Sequence, residues 1–306
     1  MKRVLTAVLL AALLCGSLAG CGGNKKITFT DDLGREITLR QPEKVAALLG
    51  SFAQVWHLAG GRVAAAPDDA FSELKVPRDE MAVNLGETKE LSLELLLQIQ
   101  PDFVIASANS TQHLQWQQQL EEVGISVAYF RVDGFSDYLR MLKICTDITG
   151  CTDRYETYGT SQQSAIDAVR HRFPDADGPR VLVLRASHKA IRAKTGDETV
   201  LGVMLRELGC RNVAEEPGAF VDPDRVTMDD IAALDPDYIF VVPSGDDEVG
   251  MQALLDQTLG DDPRWPNLTA AKNGRAYVVE KELFQFKPNH RWAQAYETLE
   301  TYFFGS

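Results

Sequence analysis

Short apolar runs separated by polar, helix-compatible stretches make up most of the chain. Val45–Leu49, Val63–Ala66, Phe103–Ala106, Val127–Phe130, Val181–Leu184, Phe240–Val242 and Val278–Val279 are apolar without alternation, as strands buried on both faces are. Alternating strands and helices imply an α/β fold with mostly parallel sheets flanked by helices. The pattern also repeats. Ser92-Leu-Glu-Leu-Leu-Leu-Gln-Ile-Gln-Pro101-Asp102 runs into Phe103-Val-Ile, and Thr227-Met-Asp-Asp-Ile-Ala-Ala-Leu-Asp-Pro236-Asp237 runs into Tyr238-Ile-Phe. Each copy opens on an N-cap residue, places an acid two residues on where the helix dipole favours it, and stops at Pro-Asp. Upstream, Val45 precedes Pro101 by 56 residues and Val181 precedes Pro236 by 55. The chain therefore reads as two copies of one α/β lobe, at 27–150 and 179–306.

Between the lobes, Cys151 to Phe173 carries no strand pattern. Tyr155, Tyr158, Ile166 and Val169 are its apolar marks, and Pro174 to Pro179 ends it. We expect one long connector helix within 151–178.

The first residues have a separate character. Lys2 and Arg3 precede the apolar run Val4–Leu14, and Leu18-Ala-Gly-Cys21 follows. The run is shorter than the roughly 20 residues a spanning helix needs and has the layout of an export signal over 1–20. The 306 residues carry 31 Lys+Arg against 44 Asp+Glu, a net charge of −13, which argues against a nucleic-acid partner. Beyond Cys15 and Cys21, the cysteines are Cys145, Cys151 and Cys210; Cys145 and Cys151 are spaced for either a disulfide or two thiols. No CxxC, HExxH, Gly-x-Ser-x-Gly, Gly-x-Gly-x-x-Gly or P-loop pattern occurs.

Leu18-Ala-Gly-Cys21 resembles the bacterial lipobox, which implies a lipid on Cys21, a tether over 21–26, and no other covalent group. Together with the two lobes, the helical connector and the Pro-Asp units, the chain resembles the helical-backbone (class III) substrate-binding lipoproteins of bacterial ABC importers. These serve ferric siderophores, haem and cobalamin. Ile27 to Leu39, then Pro42-Glu-Lys-Val45, is similar to the family's opening hairpin, and Phe286-Lys-Pro-Asn-His-Arg-Trp292 to its ending. The resemblance implies a monomer at the outer face of the cell membrane. It also implies docking on a permease dimer, with its ATPase subunits, through Glu94 and Asp229. The family usually has Glu at both positions, so Asp229 departs from it by a shorter reach.

Ligands of open α/β sheets lie outside the carboxyl ends of the strands. On that rule the candidates of the first lobe are Ser51, Phe52, Trp56, Asp69, Phe71, Asn109 and Arg131. Those of the second are Arg185, Ser187, His188, Phe220, Ser244, Phe284 and Phe286. Guanidinium forks at Arg131, Arg185 and Arg192 suit an anionic chelate, the aromatic residues a macrocycle wall, and His188 or His290 an axial ligand. A non-catalytic receptor for an iron complex, foremost a ferric siderophore, is the expectation. A haem or cobamide receptor, a zinc or manganese receptor and a lipid-anchored α/β enzyme are the alternatives. No resident metal site is expected.

Overall fold

The structure, a computed structural model, describes residues 26–174 and 177–305. The export signal, Cys21 and most of the tether lie outside them. An antiparallel hairpin of β1 (Ile27–Thr30) and β2 (Glu36–Leu39) opens the fold. Asp31 locks its turn. The buried carboxylate accepts the amides of Leu33, Arg35 and Tyr129 and pairs with Arg35 at 2.6 Å.

The N-terminal lobe is a five-stranded sheet of β3 (Val45–Ala47), β4 (Val63–Ala66), β5 (Val83–Asn84), β6 (Phe103–Ser107) and β7 (Ser126–Phe130). Its order is β5-β4-β3-β6-β7, with every pairing parallel. The C-terminal lobe contains β8 (Arg180–Ala186), β9 (Ile191–Lys194), β10 (Arg211–Asn212), β11 (Tyr238–Pro243) and β12 (Ala276–Val278), in the order β10-β8-β11-β12. Those pairs are parallel, whereas β9 folds back antiparallel on β8. β9 is not among the apolar runs of the sequence analysis. Its signal was there: Ile191 and Ala193 are buried while Arg192 and Lys194 are partly exposed, the alternation of a strand with one wet face.

The repeated Pro-Asp unit has one physical job in both lobes. Ser92 Oγ accepts the Leu95 amide at the start of helix Leu93–Ile99, and Thr227 forms a capping box with Asp230 at the start of helix Met228–Leu234. Such caps are worth about 1 kcal/mol each. Both helices stop on a left-handed residue, Gln100 (φ 52°) and Asp235 (φ 39°). The aspartate two residues later then pins the lobe's first strand. Asp102 accepts the amides of Glu43 and Lys44 and donates its own amide to the Lys44 carbonyl. Asp237 accepts the Arg180 amide and donates to the Arg180 carbonyl.

Each sheet buries one face against its own helices, around Leu96, Val104 and Tyr129 in the first lobe and Leu182, Ile231 and Ile239 in the second. The remaining apolar residues form a single core running through both lobes, from Phe52 and Phe103 through Tyr138 and Trp292 to Phe240. The connector is helical but not one long helix. It consists of Asp153–Tyr158, a 3-10 turn at Thr160–Gln162 and Gln163–Arg170. The break falls at Gly159, where a Cβ would lie 2.5 Å from the Tyr155 carbonyl oxygen. Cys145, Cys151 and Cys210 are free thiols.

Candidate functional site

The strand ends of the two lobes converge on a cavity of about 130 Å³. The N-terminal lobe contributes Asn109, after β6, and Asp133, after β7. The C-terminal lobe contributes Arg185 from the end of β8, then Asp197, Glu198, Thr199, Val200 and Val203. Gln285 and Lys287 close it from the segment after helix Lys281–Phe284.

The acids and cations of this cavity differ in how well they are held. Asp133 accepts from Asn109 Nδ2 at 3.0 Å, Asp197 pairs with Arg206 at 2.7 Å, and Glu198 pairs with Lys194 at 3.0 Å. Among the described residues, Arg185 and Lys287 have no ion pair and no side-chain hydrogen bond. Arg185 Nε is fully buried without an acceptor, and Gln285 Oε1 is buried without a donor. Desolvation lowers the Arg185 pKa, opposed by Glu198 and reinforced by Arg192. It also lowers that of Lys287, opposed by Asp133 and Asp137. A guanidinium stays protonated regardless, so its desolvation can be relieved only by an anion or acceptor. Thr199 caps helix Val200–Glu207, whose first turn lines the same cavity and adds the positive end of a helix dipole. The arrangement sets two cations without protein partners and one unmet acceptor, Gln285 Oε1, beside three acids, Asp133, Asp197 and Glu198, that are already hydrogen-bonded or ion-paired.

Of the residues selected from sequence, Asn109 and Arg185 line this cavity. Three aromatic residues are corrected from ligand wall to core. Phe52 is 1% exposed and meets Phe130 edge-on, and Phe284 is 0% exposed. Trp56 is 2% exposed, packs on Phe103 and donates its indole N–H to the Arg62 carbonyl. The cause is helical spacing: Phe52, Val55, Trp56 and Ala59 form the apolar stripe by which helix Gly50–Leu58 seats on its sheet.

The other candidates lie outside the cavity lining. Ser51 is buried, with its carbonyl accepting from Asn289. Asp69 sits against Gly50 with Oδ1 buried and unpartnered, and burial raises its pKa. Phe71 is half-buried under Arg78. Arg131 is exposed, its amide held by Asp32. Ser187 Oγ shapes the β8–β9 turn, and Ser244 Oγ donates to the Ala186 carbonyl. His188 lies exposed, 3.9 Å from Asp247, and Arg192 pairs with Asp224. Phe220 packs on the second lobe's own core, Phe286 lies under the Lys281 ammonium, and the exposed His290 meets Tyr158 edge-on. The sequence reading missed the other eight lining residues, among them Asp133, Asp197, Glu198, Gln285 and Lys287. Nothing adjacent to Gln285 or Lys287 in the sequence marks them as cavity residues.

The two acids at the repeated helix starts are both exposed and unlike. Glu94 is met only by Gln98 of its own helix at 3.3 Å. Asp229 is paired with Arg264 at 2.5 Å, and Arg264 is also held by Asp262. No described helix is long and apolar enough to cross a membrane, and no three described His, Cys, Asp or Glu cluster as a metal site.

The family described as periplasmic binding protein matches residues 45–283. The iron(3+)-hydroxamate-binding protein FhuD of Bacillus subtilis is 22% identical, the match covering 93% of this chain and 92% of FhuD. Among solved structures, the siderophore-binding protein BauB, bound to two acinetobactin molecules and ferric iron, superposes with a TM-score of 0.71 at 16% identity. That match covers 92% of this chain and 100% of BauB. The periplasmic haem-binding protein RhuT of Roseiflexus sp. RS-1 gives 0.66 at 20% identity, covering 86% and 98%.

Proposed function

The chain belongs to the periplasmic binding protein family, and we propose that it is the receptor of a bacterial ABC importer, capturing an anionic ferric chelate between its lobes. The observation that carries this reading is the pair Arg185 and Lys287: two desolvated cations without protein partners, converging on one cavity. Carboxylate, catecholate or hydroxamate oxygens of a siderophore complex would supply the missing acceptors. FhuD and BauB, both named for such cargo, support the choice.

Haem is the second reading, and RhuT favours it. It fits the cavity less well, because its ten lining residues include no His, Cys, Tyr or Met to serve as an axial ligand. In this proposal the protein is a non-catalytic monomer, held at the outer membrane face by lipid on Cys21. It docks on the permease through Glu94 and Asp229. Calorimetric titration with ferric citrate, a ferric catecholate, a ferric hydroxamate, haemin and cyanocobalamin tests the cargo. The proposal expects saturable binding of a ferric chelate. Binding of haemin or cobalamin alone would overturn it.

A further inference from the structure

Among the described residues, two polar ties cross between the lobes, and they differ in kind. One is sealed. Asn289 is 0% exposed; its Nδ2 donates to the Ser51 carbonyl and to Gln54 Oε1, and its carbonyl accepts from Gln162 of the connector. This knot joins the first lobe, the connector and the C-terminal segment at one buried point, as a fixed joint does.

The other tie is reachable by water and has a spare partner. Lys281 Nζ lies 2.8 Å from Glu73 of the first lobe. The same nitrogen donates to the Gly245 carbonyl at 3.0 Å, lies 3.2 Å from Asp246, and sits 5.6 Å from the Phe286 ring centre. Those three contacts all belong to its own lobe. The side chains of Lys281, Glu73 and Asp246 are 14%, 28% and 91% exposed. Desolvation of the ammonium is outweighed by the bonds from Glu73 and Asp246, which leaves its pKa above the ordinary lysine value.

We propose that Lys281 is a two-partner latch, which bridges Glu73 and Asp246 in the observed arrangement and, when the lobes part, keeps Asp246 and releases Glu73. Opening such a latch strands no buried ammonium. Only Glu73 changes partner, and it exchanges Lys281 for water. The latch therefore biases the lobes toward closure weakly enough for cargo to enter and leave. The two acids act in opposite senses on one lysine. Glu73 stabilises the closed arrangement alone. Asp246 is the partner left to the ammonium in the open one, so its removal makes opening more costly.

Spin labels at Val123→Cys in the first lobe and Val249→Cys in the second, both exposed, report the interlobe distance in a Cys151→Ser background. Pulsed dipolar spectroscopy of the purified chain, without cargo, is the measurement. Glu73→Gln and Lys281→Met should increase the long-distance fraction, by roughly three- to fivefold for an interaction of this exposure. Asp246→Asn should decrease it. All three should leave the thermal midpoint within about 3 °C of the parent, since none empties a core. Shifts of the same sign for Glu73→Gln and Asp246→Asn, or no shift in either, would overturn the latch. Neither result bears on which cargo is bound, because no cargo is present.

Discussion

The two lobes share a scaffold and divide the chemistry. Leu96 and Ile231 occupy the same place in the repeated helix and are both fully buried. Asp102 and Asp237 pin the same strand start in each lobe. At the cavity the likeness ends. The first lobe presents Asn109 and Asp133, already bonded to each other, whereas the second presents Arg185 without a partner and, from its closing segment, Lys287. The edges differ too: in the first lobe β4 pairs with β3 and carries β5 beyond it, whereas in the second both short β10 and the antiparallel β9 pair with β8 itself. Duplication thus preserves the contacts that make a lobe fold, while strand-end residues are free to diverge.

The scaffold half of the comparison can be broken most forcefully at its cores. Leu96→Ala and Ile231→Ala should each cost about 2–5 kcal/mol in denaturant unfolding, as buried Leu and Ile truncations do. A near-neutral result at one site would show that the two helices are not equivalent. The next effect separates the lobes by pH. His113 of the first lobe is 1% exposed, accepts the Ser107 amide on Nδ1, and is pushed by burial from 6.5 down to about 4. Between those values the unfolded chain binds a proton that the folded lobe refuses, so stability falls as pH falls through the window. The full effect is about 3 kcal/mol. Burial also lowers His57, in the same lobe. Amide protection in β6 and β7, corrected for the intrinsic exchange rate at each pH, should therefore fall on acidification before that in β8 and β11; simultaneous loss would contradict the assignment.

Smaller effects sharpen the chemical half. Asn109→Ala should weaken cargo binding only a few-fold, because its amide is engaged with Asp133 and faces no unmet charge. Smallest of all, Asp229→Asn should change stability by less than about 0.5 kcal/mol, since its pair with Arg264 is exposed. Differential scanning fluorimetry at low and high salt would detect a larger contribution.

Much of the fold was legible because it rests on local signals. Strand runs such as Val181–Leu184, caps at Ser92 and Thr227, and the Pro-Asp stops all act within a dozen residues. The cavity was legible only where a lining residue sits at a strand end or just past it, as Arg185 and Asn109 do. Trp56 resembled a cleft aromatic by position, but its neighbours at helical spacing committed it to the core. Lys287 and Gln285 were missed because nothing near them in the chain announces the cavity. They reach it only after the second lobe's closing segment folds back toward Asp133. The connector broke at Gly159 for a similarly non-local reason: Leu139 and Leu142 of the first lobe's last helix, Phe135–Thr149, lie within 3.1 Å of where a Cβ would stand.

The central claim is that the second lobe's unpartnered cations bind an anionic ferric chelate. Its most direct test is calorimetric titration of the chelate that binds the parent protein most tightly, repeated on Arg185→Ala. The account predicts a loss of about 10- to 150-fold in affinity, the worth of one charge-assisted hydrogen-bonding group, with the thermal midpoint held or raised because a desolvated cation is removed. Unchanged affinity in a variant that folds normally would contradict it.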